Sequence, residues 1–238
     1  MRIGLLGAGR IGRIHGGNIA AHPRARLAVM ADADAAAAQR LATAHGATIG
    51  SVDEIIADRD VDAVVICTPT DTHADLIKRA VRAGKAVFCE KPIDLDMSRV
   101  DACGHVLETT RTPFFVGFNR RFDPSHRALF DAIRAGEIGA LEMLVLSSRD
   151  PEISPPDYVA AMPYGIFYDT MIHDFDMVRW LTDDEPIEIV ARTACMLDTA
   201  TNPHRDPDTA MVMLKMASGA LVHVNSSFRA VYGYDQRI

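Results

Sequence analysis

The chain has 238 residues, a formal charge of −7, and 48% hydrophobic against 24% charged residues. That is a globular composition with material for a core, in one large or two modest domains. The acidic balance excludes a nucleic-acid-binding surface, which needs a basic footprint, and no apolar run approaches the roughly 20 residues of a membrane span.

The opening MRIGLLGAG carries one arginine and a short apolar stretch, and reads as a first strand rather than a signal peptide. Further short apolar runs follow at Arg26–Ala31, Ala63–Cys67, Ala86–Cys89 and Phe114–Phe118. Their β-branched content predicts strands buried on both faces. Alanine-rich segments near residues 10–21, 33–45, 71–83 and 96–110 suit helices. Asp71 or Thr72 is expected to cap the third of these and Gly84 to end it. Such alternation implies βαβ units and a doubly wound parallel sheet, an α/β class.

The first strand runs into Gly7-Ala8-Gly9-Arg10-Ile11-Gly12, a G-x-G-x-x-G opening a helix. Gly7 permits the tight turn, Gly9 lets backbone approach a pyrophosphate, and Gly12 allows close helix–strand packing. The helix start, with Arg10 and Ile11 in its first turn, offers free N–H groups to the diphosphate. Asp32 closes the second strand 20 positions after Gly12. A carboxylate there accepts ribose hydroxyls and repels a 2′-phosphate, which favours NAD over NADP.

Ligands of such sheets gather at the carboxyl ends of strands. The exits of the third and fourth long runs, Thr68-Pro69-Thr70 and Glu90-Lys91-Pro92, are therefore expected along the cofactor. Lys91 falls where a nicotinamide and a substrate hydroxyl would meet, and Pro92 limits its conformation. His73 either reaches the cofactor or simply belongs to the start of its helix.

The remainder reads as a helix over Ser125–Ala135 and strands over Glu142–Ser147, Ile187–Met196, Ala210–Met216 and Leu221–Phe228. Consecutive strands of this kind predict an α+β domain with a largely antiparallel sheet. The boundary is placed near residue 120, giving a dinucleotide-binding domain over 1–120 and a substrate-binding and oligomerisation domain over 121–238. One further helix is expected over Phe167–Leu181. At helical spacing Asp169, His173 and Asp176 share a stripe opposite Met171, Ile172, Phe175 and Val178. The stripe is either a solvated face or the wall of a cleft. Its residue types suit alcohol oxidation: His173 as the proton acceptor, Asp169 orienting it, and Lys91 stabilising the developing alkoxide. The spacing is not that of a zinc site, and no metal is expected. Cys67, Cys89, Cys103 and Cys195 form no C-x-x-C pair, which is the pattern of a reduced cytoplasmic protein.

The stretches GLLGAGRIG, CTPTDTHADL, FCEKPIDL, GFNRRFDP, SRDPEISPP, IHDFDMVRWL and YGYDQR resemble the glucose–fructose oxidoreductase and inositol dehydrogenase superfamily, and within it the bacterial inositol 2-dehydrogenases. The resemblance covers the whole chain. It implies a catalytic centre of Lys91, Asp169 and His173. It also implies contacts to the polyol from Lys91, Arg120, Asp150, Asp169, His173, Asp176, Tyr232 and Tyr234. Without it, Arg120 reads as an ion pair at a domain boundary and the two tyrosines as sheet packing. The implied reaction is NAD-dependent oxidation of myo-inositol to the 2-ketone. The alternatives are another sugar or polyol, or an NAD-binding protein without catalysis. The last arises because family members usually continue past the position of Ile238, so the second domain is expected to be truncated. Oligomers, often tetramers, are implied as well.

Overall fold

A computed structural model describes all residues from Met1 to Ile238. The chain forms two compact units, Met1–Gly117 and Phe118–Ile238.

The N-terminal unit contains β1 (Arg2–Leu6), α1 (Arg10–Ala21), β2 (Arg26–Ala31), α2 (Ala35–His45), β3 (Thr48–Ile49), α3 (Val52–Ala57), β4 (Ala63–Ile66), α4 (Thr70–Arg82), β5 (Ala86–Cys89), α5 (Met97–Thr110) and β6 (Phe114–Val116). Its six strands are parallel, in the order β3-β2-β1-β4-β5-β6. β4 is buried at all four positions because helices cover both faces of the sheet. Leu6, Ile66, Ile77 and Val81 anchor the core on one side, and Leu5, Leu27, Met30 and Leu41 on the other. A buried leucine of this kind contributes about 1.5–3 kcal/mol. The strand order reverses between β1 and β4, which puts the loops after these strands at the switch point where open α/β sheets bind ligands.

Several helix ends differ from the sequence expectation. α4 begins at Thr70 with Pro69 at its N-cap, not at Asp71 or Thr72. Thr72 instead donates its hydroxyl to the Pro69 carbonyl (2.7 Å). Gly84 does follow the helix in a left-handed conformation. β3 and α3 are additional elements. β3 has only two residues, both exposed, which leaves no periodicity to detect. α3 is fixed by a capping box between Ser51 and Glu54.

The C-terminal unit contains a short 3₁₀ turn (Asn119–Phe122), α6 (Pro124–Arg134), β7 (Met143–Arg149), α7 (Pro156–Ala161), a π-helical turn (Ile166–Met171), α8 (Ile172–Thr182), β8 (Pro186–Ala194), β9 (Thr209–Met216), β10 (Leu221–Ser227) and β11 (Asp235–Arg237). Its sheet runs β11-β7-β10-β9-β8. Three of the four pairings are antiparallel, and β10 with β7 is parallel. β9 alternates buried and exposed residues, so one face is packed and the other is bare. The packed face carries Leu146, Val212, Leu214, Val222 and Val224, which meet Met171, Met177, Val178 and Leu181. The expected single helix over 167–181 is thus two segments. The π turn gives Asp169 a different phase from His173 and Asp176, so a uniform α-helical stripe is not the observed geometry.

Candidate active site

In the N-terminal unit the loop after β1 is shaped by contacts that leave no room for side chains. Gly7 has a positive φ of 101°, and a Cβ there would lie 2.5 Å from the Cys67 carbonyl oxygen. A Cβ on Gly12 would lie 2.0 Å from the Gly7 oxygen. A Cβ on Gly9 would meet nothing within 4 Å, so this glycine faces open space. α1 starts with no side-chain cap and no acid in its first turn. Its first N–H groups and the positive end of its dipole are thus offered outward, as a dinucleotide diphosphate requires. The residues present fit NAD on this ground.

Asp32 does more than close β2. One carboxylate oxygen accepts the Ala8 N–H (2.5 Å) and the other accepts the Asp34 N–H (2.7 Å). The acid braces the glycine loop and keeps acceptor capacity for a ribose, because a carboxylate offers about four lone-pair positions.

The loops after β4 and β5 lie beside this turn in the sheet order. Thr68 and Thr72 share a hydroxyl–hydroxyl hydrogen bond of 2.6 Å. His73 is 2% exposed. Its Nδ1 lies 2.8 Å from the Pro92 carbonyl and its Nε2 lies 2.7 Å from the Thr68 carbonyl. The ring serves the two loops, so neither nitrogen points outward. Of the Glu90-Lys91-Pro92 sequence, Glu90 is half-buried and accepts a hydrogen bond from His15 Nε2 (2.7 Å). Its other oxygen accepts the Lys91 N–H (3.3 Å), and the Lys91–Pro92 peptide is cis. His15 follows Gly12 on α1 and packs its ring on Phe88, with centroids 4.9 Å apart. The sequence reading overlooked His15, because its partner is 75 residues away. Burial, reinforced by the negative charge of Glu90, pushes the Cys67 thiol up to about 12.

The C-terminal unit holds the other candidates, several of them bound to neighbours that the sequence did not single out. Asp169, in the π turn, accepts the Tyr158 hydroxyl (3.0 Å). His173, on the first turn of α8, meets Phe118 edge-on at 6.3 Å. Asp176 is buried and receives two hydrogen bonds from Arg121, 2.8 Å from Nε and 2.5 Å from the terminal nitrogen. Arg120 is buried and pairs with Asp174, while Ser148 donates to the same Asp174 oxygen (2.7 Å). The ion-pair reading of Arg120 is therefore the geometry found, and its partner lies within the same unit. Burial raises the Asp174 carboxyl above its ordinary range even though Arg120 and Ser148 oppose the shift. Asp150 is held by backbone bonds at the end of β7, its N–H to Ser227 and its carbonyl to Ala230 (both 3.0 Å). Tyr232 donates to Asp235 (3.1 Å). Tyr232 and Tyr234 are both exposed, Tyr234 to 75%. Neither has the buried environment that packing between sheet strands would give. Arg121 and Asp174 were not singled out in the sequence. Arg121 was present in the GFNRRFDP stretch, but only the fold reveals which acid it holds.

No three His, Cys, Asp or Glu side chains are grouped to hold a metal ion. No helix is long and apolar enough to cross a membrane.

Residues 1–118 match the model of an oxidoreductase family with an NAD-binding Rossmann fold, and residues 126–238 match a GFO/IDH/MocA C-terminal domain. An inositol 2-dehydrogenase from Rhizobium meliloti (strain 1021) is 52% identical over 238 residues, spanning 100% of this chain and 72% of its own length. The crystal structure of a myo-inositol dehydrogenase from Corynebacterium glutamicum ATCC 13032 superposes with a TM-score of 0.93 at 45% identity, covering 99% of this chain and 71% of that one. A scyllo-inositol dehydrogenase from Lactobacillus casei, solved with bound NAD(H) and scyllo-inositol, gives 0.91 at 29% identity, with 99% and 72% covered. The glycine cradle, the bracing acid and these matches across both units have one conclusion: the chain belongs to the GFO/IDH/MocA family and is an NAD-dependent oxidoreductase.

Proposed function

We propose that the protein is an inositol 2-dehydrogenase, oxidising the axial hydroxyl of myo-inositol to the 2-ketone. The observation that carries this reading is the 52% identity, maintained over the whole chain, to an inositol 2-dehydrogenase. Bound NAD supplies the hydride acceptor. Gly9 leaves room for its diphosphate, while Gly7 makes the tight turn and Gly12 the close packing that set the N–H groups of Arg10 and Ile11 to face it. Asp32 takes the adenosine ribose, and the exits at Thr68, Pro69 and Glu90 line the rest of the groove.

Lys91 is assigned to the reacting hydroxyl, its ammonium donating to that oxygen and stabilising charge on it. His173 is assigned the hydroxyl proton, which its imidazole nitrogen takes. Asp169 orients that ring and favours its charged form, the role a buried acid plays in catalytic triads. Asp176, Arg120, Asp150, Tyr232 and Tyr234 are assigned to the remaining hydroxyls. A ring with a hydroxyl on every carbon is selected by directional hydrogen bonds, since analogues lacking one leave a polar group unpaired. His73 is assigned to the cofactor loops rather than to direct contact, because both its nitrogens are already directed at carbonyls.

The bare sheet face of the C-terminal unit supports a homo-oligomer, a tetramer in this proposal. Val145, His223, Met213 and Val190 stand in register across four strands, and Met143 and Leu221 pair beside them. All of these except His223 are exposed large hydrophobic residues. A cytoplasmic location is proposed on the four free thiols and the NAD requirement.

The test is a panel of inositol isomers and hexoses with NAD and with NADP, followed by NADH absorbance. The proposal expects the highest kcat/KM for myo-inositol with NAD. Preference for a hexose would move the assignment to another polyol of the family. NAD binding without turnover of any substrate would remove catalysis altogether.

A further inference from the structure

We propose that His73 is a positioning residue of the cofactor site, and that it acts as a doubly protonated imidazolium joining the loop after β4 to the loop after β5. Its two ring nitrogens lie 2.8 Å and 2.7 Å from the carbonyl oxygens of Pro92 and Thr68. A carbonyl oxygen only accepts, and neutral imidazole carries one N–H. In the neutral form, one of these contacts would press a nitrogen lone pair against an oxygen lone pair at hydrogen-bond distance. No solvent is available to relieve it, because the residue is 2% exposed. With both nitrogens protonated, the two contacts become charge-assisted hydrogen bonds.

Opposing influences are present and identifiable. Burial disfavours the charge. So does the positive end of α4, since His73 sits in the first turns of that helix. Asp71 lies in the same first turn and Glu90, which holds His15, on the Pro92 loop, while Lys91 on that loop and Arg99 of α5, which donates to the Asp71 carbonyl (3.3 Å), add to the positive side. Two short bonds to acceptors that cannot switch roles decide the balance.

The consequence is mechanical. Thr68 and Thr72 already lock the start of α4 through their hydroxyls. The bond from His73 to Pro92 then fixes the next loop to that base, one residue beyond Lys91. Losing it frees the segment at the carboxyl edge of β5, where the dinucleotide lies. This inference rests on NAD binding by the N-terminal unit and not on the identity of the polyol.

Side-chain ¹⁵N–¹H correlation spectra of the histidine-labelled full chain at neutral pH read the charge state directly. The expected result is one histidine with both ring nitrogens protonated, its signals absent from His73→Gln. A His73 ring with a single protonated nitrogen would overturn the proposal. Calorimetric titration of NAD into a His73→Gln variant that keeps a cooperative thermal transition gives the second reading. Glutamine cannot span both carbonyls, so affinity should fall by about tenfold or more. Unchanged affinity in the folded variant would contradict the positioning role. Neither measurement involves inositol, so failure here and failure of the substrate assignment are separable.

Discussion

In the N-terminal unit, β4 is buried at every position and the groups placed around the cofactor groove sit on turns at strand exits. In the C-terminal unit, β9 alternates between a packed and a bare face, and two of the charged candidates are held in ion pairs: Arg120 by Asp174, and Asp176 by Arg121. The first unit makes its site from backbone shape, so absent side chains matter most. The second pairs charges of which Arg120, Asp174 and Asp176 are buried, so removing the partner of any of these three leaves a buried charge unpaired.

The largest test of that difference is Asp174→Ala. It leaves Arg120 buried without its counter-ion, and unfolding stability should drop by about 3–5 kcal/mol in chemical denaturation. A change well under 1 kcal/mol would show that solvent reaches the pair. The same group has a distinct pH signature. Burial makes folded Asp174 hold its proton to higher pH than the unfolded chain does. Its contribution is therefore most favourable below the unfolded value and declines as pH rises towards the folded value. Asp174→Asn should flatten that part of the stability–pH curve.

Glycine substitutions sharpen the other side of the comparison. Gly12→Ala places a Cβ 2.0 Å from the Gly7 oxygen, and should cost about 1–3 kcal/mol through strain as well as abolishing tight NAD binding. Gly9→Ala meets nothing within 4 Å, so its thermal midpoint should match the parent while its KM for NAD rises. Equal stability losses in both variants would contradict the reading of Gly9 as a residue kept small for the ligand.

The legibility of the chain follows the same division. Gly7, Gly9, Gly12 and Asp32 could be read from sequence because a tight turn imposes local steric conditions at fixed spacing. The strands of the N-terminal unit other than β3 were readable for a similar reason, since continuous apolar runs need no partner to be recognised. The pairs His15–Glu90 and Arg121–Asp176 were not, because 75 and 55 residues separate their members and only the fold brings them together. The π turn over Ile166–Met171 defeated a helical projection that assumed a uniform period. The second function of Asp32, bracing the loop through the Ala8 N–H, is likewise invisible until the turn is formed.

A smaller effect is expected from Arg121→Ala. Asp176 would lose its two-point support, and the KM for the polyol should rise about tenfold with kcat less affected. A fall in kcat alone would place Arg121 in the chemical step. Smallest is the behaviour of Cys67, whose thiol burial and Glu90 push up to about 12. It should resist iodoacetamide at mildly alkaline pH, as judged by mass spectrometry. Rapid labelling would mean that this end of β4 is open to solvent.

The central claim is hydride transfer from a cyclitol to NAD. Myo-inositol deuterated at the carbon bearing the axial hydroxyl tests it most directly, with NMR of the recovered nicotinamide. The account predicts that deuterium arrives on the nicotinamide ring, and that Lys91→Ala and His173→Ala lower the rate by about 10²–10⁴-fold. Reduced cofactor without the label, or undiminished transfer in both variants, would contradict it.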